Sequence, residues 1–247
     1  NMSPRARSPR WLVYKYSPNK AEIKNTDSTV IENFLGISLD DDYSPKEMIT
    51  ALELIMPKLE ELYNTRVRHY VVKKHTLLVC EQFEKYAFAF DNKCMNMDLM
   101  RLVLAIHDIG KAIDRSTQHE HTLSLVRELW ENTPFTEHEF NLVEVLLRDD
   151  HLGLYFQNKY KLSDLKEEIV ANATELKMSP SILLQYKMIL YQCDIASYTK
   201  DAGGLKYLEH MFVYENGEKA FDEENGIIAM SEEYADRYVN LKESINE

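Results

Sequence analysis

Apolar positions recur at helical spacing along most of this chain. Ser44-Pro45 reads as a cap and a first turn, after which Met48, Ala51, Leu52, Ile55, Leu59 and Leu62 fall on one face of a predicted helix. A second helix is predicted from about Arg66 to Phe88, with His75, Leu78, Val79, Gln82, Phe83 and Tyr86 close to one face. A third starts near Met97 and carries Leu99, Leu102, Val103 and Ile106. It ends at His107-Asp108-Ile109-Gly110-Lys111, where Gly110 can adopt the left-handed conformation of a C-terminal cap. Helices follow at about 120–132, 137–149, 162–176, 180–200 and 231–245, with His151 read as closing the one that contains Val143, Leu146 and Leu147.

The period breaks in FVYENGEKAF, residues 212–221, where apolar ends flank Asn216-Gly217 and predict a β-hairpin. Residues 3–10, SPRARSPR, read as a flexible basic arm, and residues 17–46 are polar, with Asp40, Asp41 and Asp42 in a solvated turn. The expected organisation is an irregular segment over 1–43 and an all-α domain over 44–247, a helical bundle with a small hairpin near its C-terminal end.

The 247-residue chain is long enough to bury a full core, and its 7 Gly and 7 Pro favour helix. A net charge of −12 disfavours a grip on duplex nucleic acid, which is made through clustered Lys and Arg. A small phosphorylated molecule is still compatible, because a few local cations suffice to hold it. Cys80, Cys94 and Cys193 are odd in number and lack CxxC spacing, which points to a reducing, cytoplasmic setting. No apolar run approaches the roughly 20 residues of a membrane span, and no signal peptide is visible.

His107 and Asp108 stand out because both are costly to bury unless paired or bound to a metal. Lys111 brings a cation within one turn of them. The string HDIGK after the apolar LMRLVLAI resembles the signature of the HD superfamily of metal-dependent phosphohydrolases. Over residues 70–200 the chain is most similar to the HD domain of the ribonuclease Y family, without the membrane anchor, coiled coil and KH domain expected there. It lacks the GYP-type motif of the cyclic-di-GMP phosphodiesterases.

The resemblance implies an ordered ligand set: His75 in KKHTLLV, the pair His107-Asp108, His121 in HEHTLSLV, His151 in RDDHLG and Asp194 in YQCDIA. His121 stands fourteen positions after His107, a spacing that selects it over its rival His119. Asp149 and Asp150 could ligate in place of His151 or orient it.

Four imidazoles and two carboxylates imply two ions with Asp108 bridging, and the nitrogen-rich mixture suits Fe, Mn, Co, Ni or Zn better than Mg. The expected chemistry is attack of a metal-activated water on a phosphate ester, by a phosphohydrolase or phosphodiesterase acting on a nucleotide or cyclic nucleotide. Lys111 is then expected to contact the substrate phosphate, with Arg115, Arg148 and Lys200 as secondary contacts. Cys193 reads as a core residue rather than a nucleophile. Two alternatives use the same residues: an HD-type di-iron oxygenase, and a regulatory or binding module whose metal site is structural or vestigial.

Overall fold

Ser44 opens the first helix among the described residues: its hydroxyl accepts a hydrogen bond from the Glu47 N–H at 3.3 Å, and Pro45 occupies the first turn. The computed structural model describes residues 44–90 and 95–246; the basic arm, the acidic triplet Asp40–Asp42 and Cys94 lie outside the described residues. These are mostly helical, with β-structure confined to two-stranded antiparallel pairs. The apolar face predicted from Met48 to Leu62 is split into α1 (Pro45–Ile55) and α2 (Lys58–Asn64). Met56, which precedes Pro57, leaves the helical region at φ −133° and ψ 88°, as the proline ring demands.

The helix predicted from Arg66 begins later. Arg66–Val67 (β1) pairs antiparallel with Tyr70–Val71 (β2), and the chain reverses through Arg68 at φ 52° before α3 (Val72–Phe90) starts. The β-branched and aromatic residues of this stretch favour the pleated conformation over another helical turn. The remaining elements are α4 (Met97–Ile106), a 3-10 turn (Ile109–Ala112), α5 (Gln118–Trp130), α6 (Glu137–Leu147), α7 (His151–Phe156), α8 (Leu162–Glu175), α9 (Pro180–Ala196), three two-residue strand pairs in all, and α10 (Glu232–Ser244). His151 therefore opens α7 instead of closing α6. Its N–H donates to Asp149 Oδ1 at 3.2 Å, a side-chain turn that competes with continued helix.

The described residues divide into two compact units, one comprising 44–77 with Met97–Phe140, the other 78–90 and 95–96 with 141–246. In the first unit α4 is buried from Asp98 to Ile106, the mark of a helix surrounded by protein. Its charged members Asp98 and Arg101 pair at 3.1 Å, and the Tyr63 hydroxyl donates to the Ala105 carbonyl at 2.6 Å.

In the second unit the predicted hairpin is present. Tyr214–Glu215 (β3) pairs with Glu218–Lys219 (β4), and Asn216 and Gly217 take φ of 52° and 83°, as the tight two-residue turn requires. A second hairpin, Phe221–Asp222 (β5) with Ile227–Ile228 (β6), follows it.

Lys219 carries the first hairpin's anchorage. Its ammonium is buried and donates to both oxygens of Asp201 at 2.7 Å and to Gln82 Oε1 at 3.0 Å. Burial pulls this lysine below its ordinary pKa, and Asp201 offsets part of that shift. Burial raises the Asp201 carboxyl, but the hydrogen bonds from Lys219 and Thr199 together with the charges of Lys219 and Lys85 outweigh it and hold the group below its ordinary 3.8. Lys219→Met leaves the carboxylate with the Thr199 hydroxyl and, at 3.9 Å, the Lys85 ammonium, and should cost about 3 kcal/mol in urea unfolding at neutral pH. A depressed folded-state carboxyl contributes fully above its unfolded value and is lost as pH falls through its folded one. The gap between wild type and variant should therefore narrow below pH about 4.

Candidate metal centre

The end of α4 dictates where the candidate ligands lie. The last carbonyls of a helix lack intrahelical donors, and His107 supplies one: its Nδ1–H donates to the Leu104 carbonyl at 2.7 Å. Since a carbonyl can only accept, Nδ1 carries the proton, and in the neutral ring Nε2 keeps its lone pair. Asp108 follows at the start of the 3-10 turn, and His75 comes from the first turn of α3, fully buried with its ring 4.8 Å from that of Tyr70.

These three side chains converge. His75 Nε2 lies 3.2 Å from Asp108 Oδ2, His107 Nε2 lies 3.6 Å from Asp108 Oδ1, and the three ligand atoms fall within 4.8 Å of one another. Lys111 grips the same carboxylate, with Nζ 2.6 Å from Oδ1 and 2.7 Å from Oδ2. Burial by itself would raise the Asp108 carboxyl; the charges of His107 and Lys111 and the contact with His75 outweigh it and hold the group well below the ordinary carboxylate range. His107 Nε2 and the Asp108 carboxylate face each other inside the protein, and with the ring neutral they would present one nitrogen and one oxygen donor to a cation. Two imidazole nitrogens and one carboxylate suit a divalent transition-metal ion.

Gly110 has a different role from the one expected. It is not left-handed; it sits in the 3-10 turn, pressed against the start of α5. Its N–H donates to the Thr122 hydroxyl at 3.0 Å, and a Cβ on it would lie 2.1 Å from the Gln118 carbonyl oxygen and 2.6 Å from the Thr122 nitrogen. The glycine of HDIGK is there because backbone meets backbone.

The other sequence-predicted residues lie on other elements. His121 and His119 lie half-buried on the first turn of α5, and among the described residues neither joins the converging trio. His151 belongs to the second unit, where its ligand atoms group with those of Asp149 and Glu168. Asp194, half-buried on α9, is also in the second unit.

Of the expected phosphate contacts, Arg115, Arg148 and Lys200 are exposed. Arg148 donates to Asn172 Oδ1 at 2.5 Å, and the Lys200 ammonium lies 4.7 Å from the centre of the Tyr207 ring. Cys193 and Cys80 are buried, which pushes both thiols up and makes them poor nucleophiles.

Two residues near His151 escaped the sequence reading. Lys187, a cation inside the apolar run ILLQYKMILYQCDIA, carried a signal; Glu168, one acid among several on α8, carried none.

No family model, no curated protein and no solved structure matches the chain.

The close approach at Gly110 is directly testable. Gly110→Ala must push the turn off α5 and should destabilise the protein by about 2 kcal/mol in denaturant unfolding. Unchanged stability would mean that the turn and α5 do not pack this tightly.

Proposed function

We propose that this chain is an HD-type metal-dependent phosphohydrolase in which His75, His107 and Asp108 hold a divalent transition-metal ion. The observation that carries the proposal is the convergence of two imidazole nitrogens on one buried, ionised carboxylate beside a lysine. A site that only required structural pairing would be satisfied by the Asp108–Lys111 pair; the two additional nitrogens aimed at it add donors that a cation would use.

When bound, such an ion supplies Lewis acidity, lowering the pKa of water and stabilising the oxygens of a phosphoryl group. The chain's own residues set the stage for this. Leu104 fixes the ring of His107, the enclosed α4 holds the pair rigidly, and the ionised Asp108 is ready to ligate without losing a proton. Lys111 balances the carboxylate's charge and, within one turn of it, is our candidate for the contact with the substrate phosphate. His121, His151 and Asp194 enter as further ligands on the strength of the family resemblance. The net charge of −12 favours a small phosphorylated molecule over a long nucleic acid as substrate.

The test combines elemental analysis of the purified protein with a panel of phosphatase and phosphodiesterase substrates in added Mn²⁺. Replacing His107 and Asp108 together by alanine, with helicity retained by circular dichroism, should abolish ion retention and lower turnover on the order of 10³-fold. Phosphate release that survives the double substitution overturns the proposal; iron with oxygen uptake in place of phosphate release redirects it to oxygenase chemistry.

A further inference from the structure

In the first unit a single carboxylate, that of Asp108, serves three partners. His75 Nε2 stands beside Oδ2 at 3.2 Å and His107 Nε2 beside Oδ1 at 3.6 Å. The Lys111 ammonium lies against both oxygens, 2.6 Å from Oδ1 and 2.7 Å from Oδ2. The lysine side chain is 16% exposed, against 7% for His107, 6% for Asp108 and 0% for His75, so it is the member of the group nearest solvent.

A cation that drew on His107 Nε2 with Oδ1, or on His75 Nε2 with Oδ2, would meet an oxygen that Lys111 already holds. A divalent ion and an ammonium on one carboxylate, a few ångströms apart and with little water to screen them, repel each other. The imidazoles and the carboxylate have lone pairs to give a transition-metal ion, whereas the ammonium has only protons to donate. The lysine is therefore the group that yields. It can yield without disturbing the turn beneath it. The backbone is held there, with the Gly110 N–H on the Thr122 hydroxyl and the Lys111 N–H on the Asp108 carbonyl, both at 3.0 Å, while a flexible aliphatic stem carries the ammonium. Tethered three residues from Asp108, a released ammonium is still close enough to pair with a phosphate held at the site.

We propose that Lys111 is an exchangeable counter-ion: it holds Asp108 until a divalent transition-metal ion takes the carboxylate, and the released ammonium then pairs with the substrate phosphate. The site thereby fills in a fixed order, ion first and phosphate second. The proposal rests on the metal reading given above and adds to it the group that the ion must displace.

Two measurements on the chelator-treated full chain test this. Titration with Co²⁺, followed by absorption, reads ion affinity. Lys111→Met removes the competing charge and keeps an apolar stem, so it should tighten Co²⁺ binding about 10-fold, whereas Lys111→Arg, which keeps the charge, should not. Limited acetylation by an amine-reactive ester, read by mass spectrometry, follows the lysine itself. Wild-type Lys111 should react slowly without the ion and several-fold faster with Co²⁺ bound, and inorganic phosphate should restore its protection only when Co²⁺ is present. If Lys111→Met proves poorly folded by its thermal transition, the wild-type acetylation carries the test alone.

A folded Lys111→Met that binds Co²⁺ no more tightly than wild type, acetylation of Lys111 that does not rise with Co²⁺, or protection by phosphate without the ion overturns the exchange. In each of these cases the wild type still binds Co²⁺, and the metal reading stands. Wild-type protein that binds no Co²⁺, or binding that survives joint replacement of His107 and Asp108 by alanine, overturns the metal reading and the exchange with it.

Discussion

A carboxylate buried at the end of a helix surrounded by protein is the constraint around which the first unit is organised. Asp108 has lost most of its water, and an ionised group in that position survives only with compensating charge and polar contacts. Lys111 supplies the charge, while His75 and His107 supply polar edges at 3.2 and 3.6 Å. The surroundings follow from this. His107 can face Asp108 because its other nitrogen is spent on the Leu104 carbonyl, and His75 reaches it because the chain reverses through β1 and β2 before α3 begins. Gly110 lets the turn that carries Lys111 lie directly on α5. Compensation of one charge and presentation of metal-type donors are thus accomplished by the same few side chains.

The second unit solves a similar problem twice without the same donor set. Lys219 is enclosed and fully engaged by Asp201 and Gln82, which spends its hydrogen-bonding capacity on holding a hairpin in place. Lys187 is equally enclosed, yet its carboxylate partners stand at 3.5 and 3.7 Å, and one of them is committed to His151. Three hydrogen bonds make an anchor; the looser ion pairs leave Lys187 balancing two carboxylates. The contrast between the two lysines shows why burial of a charge alone does not identify a functional site.

The sequence by itself determined those features that depend on neighbours along the chain. The helical period gave most of the helices, Ser44-Pro45 their start, and Asn216-Gly217 the hairpin, because these signals act through local backbone preference. The adjacency of His107 and Asp108 behind LMRLVLAI was sufficient to predict a buried polar pair. Tertiary structure alone decided what each of these groups meets. Nothing in HDIGK says that its glycine is there for a backbone contact with Gln118 and Thr122, and nothing in RDDHLG says that His151 pairs with an acid on α8. A pattern records period and polarity over a few turns, whereas those contacts join residues that only the packed chain brings together.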